Sequence, residues 1–386
     1  MPITQQNTAG VGEEISVHPP QRLLFGPGPT QVHPRVYAAM AQSIVGHLDP
    51  YFFEVSQDIQ RGLRRIFGTE NQWTFVISAT GSGGMETAIS NFVEPGTKVG
   101  VFANGFFCDR MTEMARRHGG DLVRFEKAWG SAFGDREAAE FIHRERPKVV
   151  MYVTAETSTG VFQRGEAICR AAHEVGGLVI ADCVTSLGAM PVDVDKTGID
   201  IAYSCTQKGL SCPPGLSPIT VSPSAVEWLQ ARKGANRSWY FDIQLISDYL
   251  LGSHRYHHTA SATLFYALHE GLSLIEEEGL AHRWERHRQA HRQFVKGIEA
   301  IGLGMLVPVE YRIWNLNTPQ VPEGIDEAKV RATLLKQHGI EIAGGFGPLA
   351  GKIFRIGLMG PLATRDHVQD FLAKFEDTLR GAGYHG

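Results

Sequence analysis

Along most of this chain, short apolar runs alternate with helix-length amphipathic stretches. The clearest runs are residues 74–77, 99–102, 149–153, 178–182 and 199–202. Each is too short to be a helix, and each predicts a buried strand. With the helical patterns between them, from about residue 55 to 260, they predict a mostly parallel sheet with helices on both faces. Earlier, a proline in the first turn opens a helical pattern from Pro34 through Met40. Later, Ala267, Leu272, Leu274 and Ile275 mark the apolar face of one long helix over about 264–301. Beyond it come a strand-like 311–313, a helix near 326–337, a strand-like 353–356 and a last helix from about Arg365. The expected organisation is a polar N-terminal arm (1–22), a large α/β domain (23–263), a connecting helix (264–301) and a smaller C-terminal α+β domain (302–386).

Composition narrows the class. With 386 residues, 43% of them hydrophobic and 20% charged, the chain is long enough for two cores. A net charge of −4 leaves no electrostatic footprint for nucleic acid. No run approaches the roughly 18 apolar residues of a membrane span. The first residues contain two glutamates and no lysine or arginine, unlike a secretory or mitochondrial signal, so a cytoplasmic location is expected. The five cysteines, Cys108, Cys169, Cys183, Cys205 and Cys212, form no Cys-x-x-Cys pair and fit reduced thiols. No metal is expected. His254, His257 and His258 have no carboxylate or thiolate beside them, and His287 and His291 lie among arginines without a metalloprotease glutamate.

The candidate chemistry lies where strands end. Asp182 closes the run 178–182, and Lys208 follows the next run. In an α/β sheet ligands collect beyond the carboxyl ends of strands, so both side chains should face one crevice. An amine that can form a Schiff base, with a carboxylate that keeps a pyridine nitrogen protonated, suits pyridoxal 5′-phosphate; a strand-end aspartate and a surface lysine are the plain alternative. Upstream, Ser78-Ala79-Thr80-Gly81-Ser82-Gly83-Gly84 joins a strand to a helical segment expected from about Met85. It reads as an anion cup at a helix N-terminus or simply as a turn, and it matches neither a Walker loop nor Gly-x-Gly-x-x-Gly. Glu156-Thr157-Ser158-Thr159-Gly160 offers hydroxyls to a ring or an N-cap cluster. Phe106-Phe107 offers a stacking face or core packing. Arg355, in an apolar strand near Gly344-Gly345-Phe346-Gly347, suits a substrate carboxylate in a segment able to close over the crevice.

Over about residues 23–379 the chain resembles the alanine–glyoxylate/serine–pyruvate branch of the class V (fold type I) aminotransferases. Six segments carry the resemblance in order: 24–30, 45–50, 156–160, 204–208, 256–259 and 347–357. It implies a fold type I α/β structure with a mostly parallel seven-stranded sheet, and a homodimer sharing its active sites. Lys208 then matches the Schiff-base lysine and Asp182 the partner of the pyridine nitrogen. Thr80, Gly81, Ser82 and Gln207 match phosphate contacts, Thr157 the residue near the ring hydroxyl, Val184 the aliphatic residue beneath the ring, and Phe107 the stacking ring. Tyr256 and Thr259 match residues reaching the phosphate from the neighbouring subunit. Arg355 matches the carboxylate-binding arginine, while Gly28 and His47 match segments lining the substrate pocket.

The sequence departs from the family in four places. Phe107 stands where tryptophan or tyrosine is frequent, Ser82 replaces a histidine of animal members, Ser261 a usual proline, and Trp314-Asn315 a frequent Pro-Thr. The implied activity is a ping-pong transfer of the amino group of alanine or serine to glyoxylate or pyruvate. A sister branch uses ureidoglycine with glyoxylate, but it tends to carry glutamine at the position of His47 and asparagine at that of Tyr256. A cysteine desulfurase would need a cysteine in its later half, and none follows Cys212. Neither a nucleotide-dependent oxidoreductase nor a non-catalytic scaffold accounts for Lys208, Asp182 and Arg355 together.

Overall fold

A computed structural model describes residues 17–232 and 234–386. Most of the expected N-terminal arm, residues 1–16, lies outside the described residues. The main sheet has seven strands: β1 (Trp73–Ile77), β2 (Lys98–Ala103), β3 (Asp121–Glu126), β4 (Val149–Val153), β5 (Leu178–Asp182), β6 (Ile201–Tyr203) and β7 (Ser217–Val221). Their order is β1-β7-β6-β5-β4-β2-β3. Only β7 is antiparallel to its neighbours, β1 and β6. β4 and β5 are buried at every position, which explains their unbroken apolar sequences: helices cover both faces.

Two helices follow strands of this sheet directly and matter most for the crevice. They are α1 (Gly81–Phe92), after β1, and α2 (Phe106–Arg117), after β2. α1 begins at Gly81 rather than near Met85, so the small residues expected to form a loop make up its first turn. Gly84 there has no room for a side chain, since an added Cβ would collide with the Ser217 hydroxyl on β7.

The single long helix expected over 264–301 is two helices, α3 (Ala262–Glu278) and α4 (Leu280–Ala300). Gly279 separates them with φ 79° and ψ 125°, outside helical geometry. The apolar pattern runs through the break, and a lone glycine inside a periodic segment was the only sign of it. Just past the break, Arg283 is buried and donates to the carbonyls of Gly188 (3.0 Å) and Gly209 (2.8 Å) in the large domain. One turn on, Arg286 donates to the carbonyls of Gly360 (2.8 Å) and Ala363 (2.9 Å) in the small domain. Glu278, at the end of α3, pairs with both arginines.

The smaller C-terminal α+β domain holds a three-stranded antiparallel sheet with β10 (Phe354–Gly357) between β8 (Leu316–Asn317) and β9 (Ala343–Gly344). Helices α5 (Glu327–His338) and α6 (Arg365–Gly381) complete it. Of the strand expected at 311–313, Tyr311 ends a short 3-10 turn, Val309–Tyr311, started by Pro308, and Arg312 makes a single antiparallel bridge to Val161. At the other end of the chain, Leu23–Leu24 pairs in parallel with Ile340–Glu341, and Phe25 packs 4.8 Å from Phe371 in the second core. Among the described residues no helix is long and apolar enough to cross a membrane.

Candidate active site

Five strand ends open into one crevice. β5 and β6 are paired in register, Asp182 opposite Tyr203, so the two side chains leave the sheet on the same face. The Tyr203 hydroxyl donates to Asp182 Oδ2 at 2.8 Å, and the Val184 N–H donates to Oδ1 at 2.8 Å. Asp182 is 3% exposed. Burial pushes its carboxyl up to about 6, against the two donors that favour the charged form.

Lys208 lies five residues beyond β6, is itself buried, and points its amine at the Pro27 carbonyl, to which it donates. Burial holds this amine below its ordinary value, and the Arg355 cation acts in the same direction. Gly28 makes the approach possible. Its φ of +117° suits glycine, and an added Cβ would lie 2.7–2.9 Å from Lys208 Cδ, Cε and Nζ.

A cavity of about 230 Å³ connects these groups. Its lining includes Gly28, Thr80, Gly81, Ser82, Phe107, Thr157, Asp182, Val184, Gln207 and Lys208. Thr80 is the N-cap of α1 and makes no side-chain cap bond, so first-turn N–H groups of α1 remain available to an anion. Phe107 stands on the first turn of α2. Its N–H donates at 3.1 Å to Glu156, a fully buried carboxylate that also accepts from the Ser158 N–H (3.0 Å) and hydroxyl (2.7 Å). Gly105 just before it has no space for a side chain beside Glu156. Burial raises the Glu156 carboxyl above its ordinary range. Thr157 is buried beside Thr185, the two hydroxyls 3.5 Å apart.

Arg355 comes from β10 of the small domain. It is 4% exposed, donates from Nε to the Gly344 carbonyl at 2.6 Å and lies over the Phe346 ring at 3.8 Å. Burial lowers it to about 10, so it stays cationic at neutral pH. Ion pairing with a protein carboxylate does not occupy it among the described residues. His47, Tyr256 and Thr259 are not part of the cavity lining. They cluster elsewhere, with the His47 and Tyr256 rings 5.0 Å apart and Tyr256 Oη 3.3 Å from Thr259 Oγ1; Tyr256 is 55% exposed.

Residues 23–358 match the family model described as aminotransferase class-V. An alanine–glyoxylate aminotransferase from Nostoc sp. superposes with a TM-score of 0.94 at 43% identity, covering 95% of this chain and 98% of that one. The ureidoglycine–glyoxylate aminotransferase of Bacillus subtilis superposes with a TM-score of 0.94 at 37% identity, covering 96% of each chain. The alanine–glyoxylate aminotransferase of Oryctolagus cuniculus is 35% identical over 94% of this chain and 93% of its own length.

The chain belongs to the class-V aminotransferases.

The cofactor of this fold type I family is pyridoxal phosphate, and the crevice fits it. The first-turn N–H groups of α1 are left free at the cavity edge because Thr80 makes no side-chain cap bond, as an anion bound there requires. The free end of α1, the Thr80 and Ser82 hydroxyls and the Gln207 amide would hold the phosphate. Asp182 would meet the ring nitrogen, Phe107 and Val184 the ring faces, and Lys208 the aldehyde. In this class-V aminotransferase three lining or supporting groups escaped the sequence reading: Tyr203, Glu156 as the brace of Phe107, and Arg110. The first had a signal, since Tyr203 ends the run before Lys208, but its contact with Asp182 depends on strand register. Arg110 had only its place one helical turn after Phe107.

Proposed function

We propose that this aminotransferase moves the amino group of alanine or serine to glyoxylate or pyruvate, working by a ping-pong sequence as a homodimer. The observation that carries the reading is the meeting of the buried Lys208 amine and the Asp182 carboxylate in the lining of one small cavity, with the Arg355 cation, outside that lining, close enough to lower the lysine. When bound, pyridoxal phosphate supplies an aldehyde for the amino group and a ring that takes up the electrons left at the α-carbon.

The chain's own groups do the remaining work. Arg355 binds the substrate carboxylate through its planar fork and fixes which bond at the α-carbon faces the ring. Lys208, shifted toward its neutral form, takes the proton from that carbon and returns it in the second half-reaction. Asp182, ionised at neutral pH, keeps a proton on the ring nitrogen opposite it. His47 and Tyr256, where the sister branch tends to carry glutamine and asparagine, support alanine or serine over ureidoglycine. Tyr256 and Thr259, outside their own cavity lining and exposed, are placed in this reading to complete the phosphate cup of a second copy. Exposed Ile44, Leu48 and Tyr51 around His47 supply an apolar rim for that contact.

The test is to add alanine, serine, ureidoglycine and aspartate singly to the purified holoenzyme without acceptor. Bleaching of the cofactor's visible band by alanine or serine, and its recovery on adding glyoxylate, is expected. Bleaching by ureidoglycine alone would transfer the chain to the sister activity.

A further inference from the structure

The reading of the cavity as a pyridoxal phosphate site leaves one charged side chain in its lining without a task. Arg110, on the face of α2 above the first turn of α1, donates from Nη1 to the Ser82 hydroxyl at 2.8 Å. Its guanidinium lies over the Phe107 ring at 4.9 Å and over the Phe106 ring at 5.3 Å. Among the described residues it has no carboxylate partner, and the adjacent Asp109 pairs with Arg124 instead at 2.7 Å.

Arginine carries five donors, and the Ser82 contact uses one of them. A permanent cation held on two aromatic faces, with no counter-ion, beside the free N–H groups of a helix is arranged for an anion. The charge balance of the cavity points the same way. Its charged lining groups are Arg110, Asp182 and Lys208. Asp182 is negative, and Lys208 must lose its proton to act as a base. Arg110 is then the lining's one permanent positive charge. The helix end alone is worth at most about 2 kcal/mol per charge, too little for a phosphate carrying close to two.

We propose that Arg110 is the charged partner of the cofactor phosphate, held in place by Ser82 and by the Phe106–Phe107 pair. It binds cofactor and takes no part in proton transfer. Ser82 thereby has two duties, accepting from Arg110 and donating its own proton toward the phosphate.

The experiment compares two probes on the cofactor-free protein: pyridoxal phosphate, and pyridoxal, which has the same ring and aldehyde but no phosphate. Dissociation constants are measured by absorbance and tryptophan quenching for wild type, Arg110→Gln and Arg110→Lys, with thermal melts run alongside. Loss of a charge-assisted contact should weaken pyridoxal phosphate by about ten- to a hundredfold in Arg110→Gln. Pyridoxal affinity should stay close to wild type. Arg110→Lys, which keeps the charge without the fork, should fall between and covers the case in which the glutamine variant does not fold. Equal losses for both probes would overturn the proposal and leave Arg110 as a support for Phe107, and so would unchanged affinity for pyridoxal phosphate. Failure of the wild type to take up either probe would instead overturn the cofactor reading on which the proposal rests.

Discussion

Replacing Asp182 by asparagine should stabilise the cofactor-free protein near neutral pH while removing most of its turnover. The carboxyl titrates at about 6 in the folded chain against an ordinary 3.8, because burial disfavours its charged form. A shift of about 2 units at 1.36 kcal/mol each makes the ionised group cost the fold about 3 kcal/mol. The sign follows from the protons bound. Below about 4 both folded and unfolded chains are protonated and the cost is absent. As pH rises the unfolded chain ionises first, so stability is lost up to about 6 and stays lost above. Asparagine fits the same space. Its oxygen can accept from the Val184 N–H, and its amide can donate to the Tyr203 oxygen once that hydroxyl turns.

The assay is denaturant unfolding of cofactor-free wild type and Asp182→Asn across this range. The variant should gain on wild type between about pH 4 and 6, by about 3 kcal/mol in all. A difference that does not change with pH would refute the argument, because it would mean that the aspartate is not charged at a cost. Added cofactor should then stabilise wild type more than the variant, since only wild type offers a negative partner to the ring nitrogen.

Other outcomes follow from the same geometry. Lys208→Ala should purify without the visible band of lysine-bound cofactor, and a spectrum retaining it would move the attachment to another residue. Arg355→Ala should raise the Michaelis constants of amino donor and 2-oxo acid together by about tenfold or more, as expected for one lost charge-assisted contact; steady-state kinetics with two unrelated carboxylate substrates check this. Gly28→Ala combines a backbone at φ +117° with a Cβ inside contact distance of the Lys208 side chain. It should lower turnover and cofactor occupancy together while circular dichroism stays native, and unchanged occupancy would show that the loop yields.

Much of this site could be read before any fold was known, because strand ends are visible in the pattern. A run of apolar residues closing on Asp182, and another preceding Lys208, were enough to place both in one crevice. The sheet itself was less complete in the sequence. β7 carries Ser217, Pro218 and Thr220, and its burial comes from its place between β1 and β6, not from a continuous apolar run. Tyr203 and Arg110 act across strand register and between helices, distances that no local window contains. The break at Gly279 was concealed for another reason: α3 and α4 both carry apolar faces, and periodicity continues in sequence where direction in space does not.

That break has a mechanical meaning. Arg283 and Arg286 rivet the start of α4 to both halves of the molecule, one turn apart, and Glu278 braces the two rivets from across the kink. One of the rivets, at the Gly209 carbonyl, holds the residue next to Lys208. The segment that carries the lysine and the small domain are thus tied to the same turn of one helix. Loss of either arginine should therefore slacken the lysine's segment and the small domain together, although neither arginine lines the cavity.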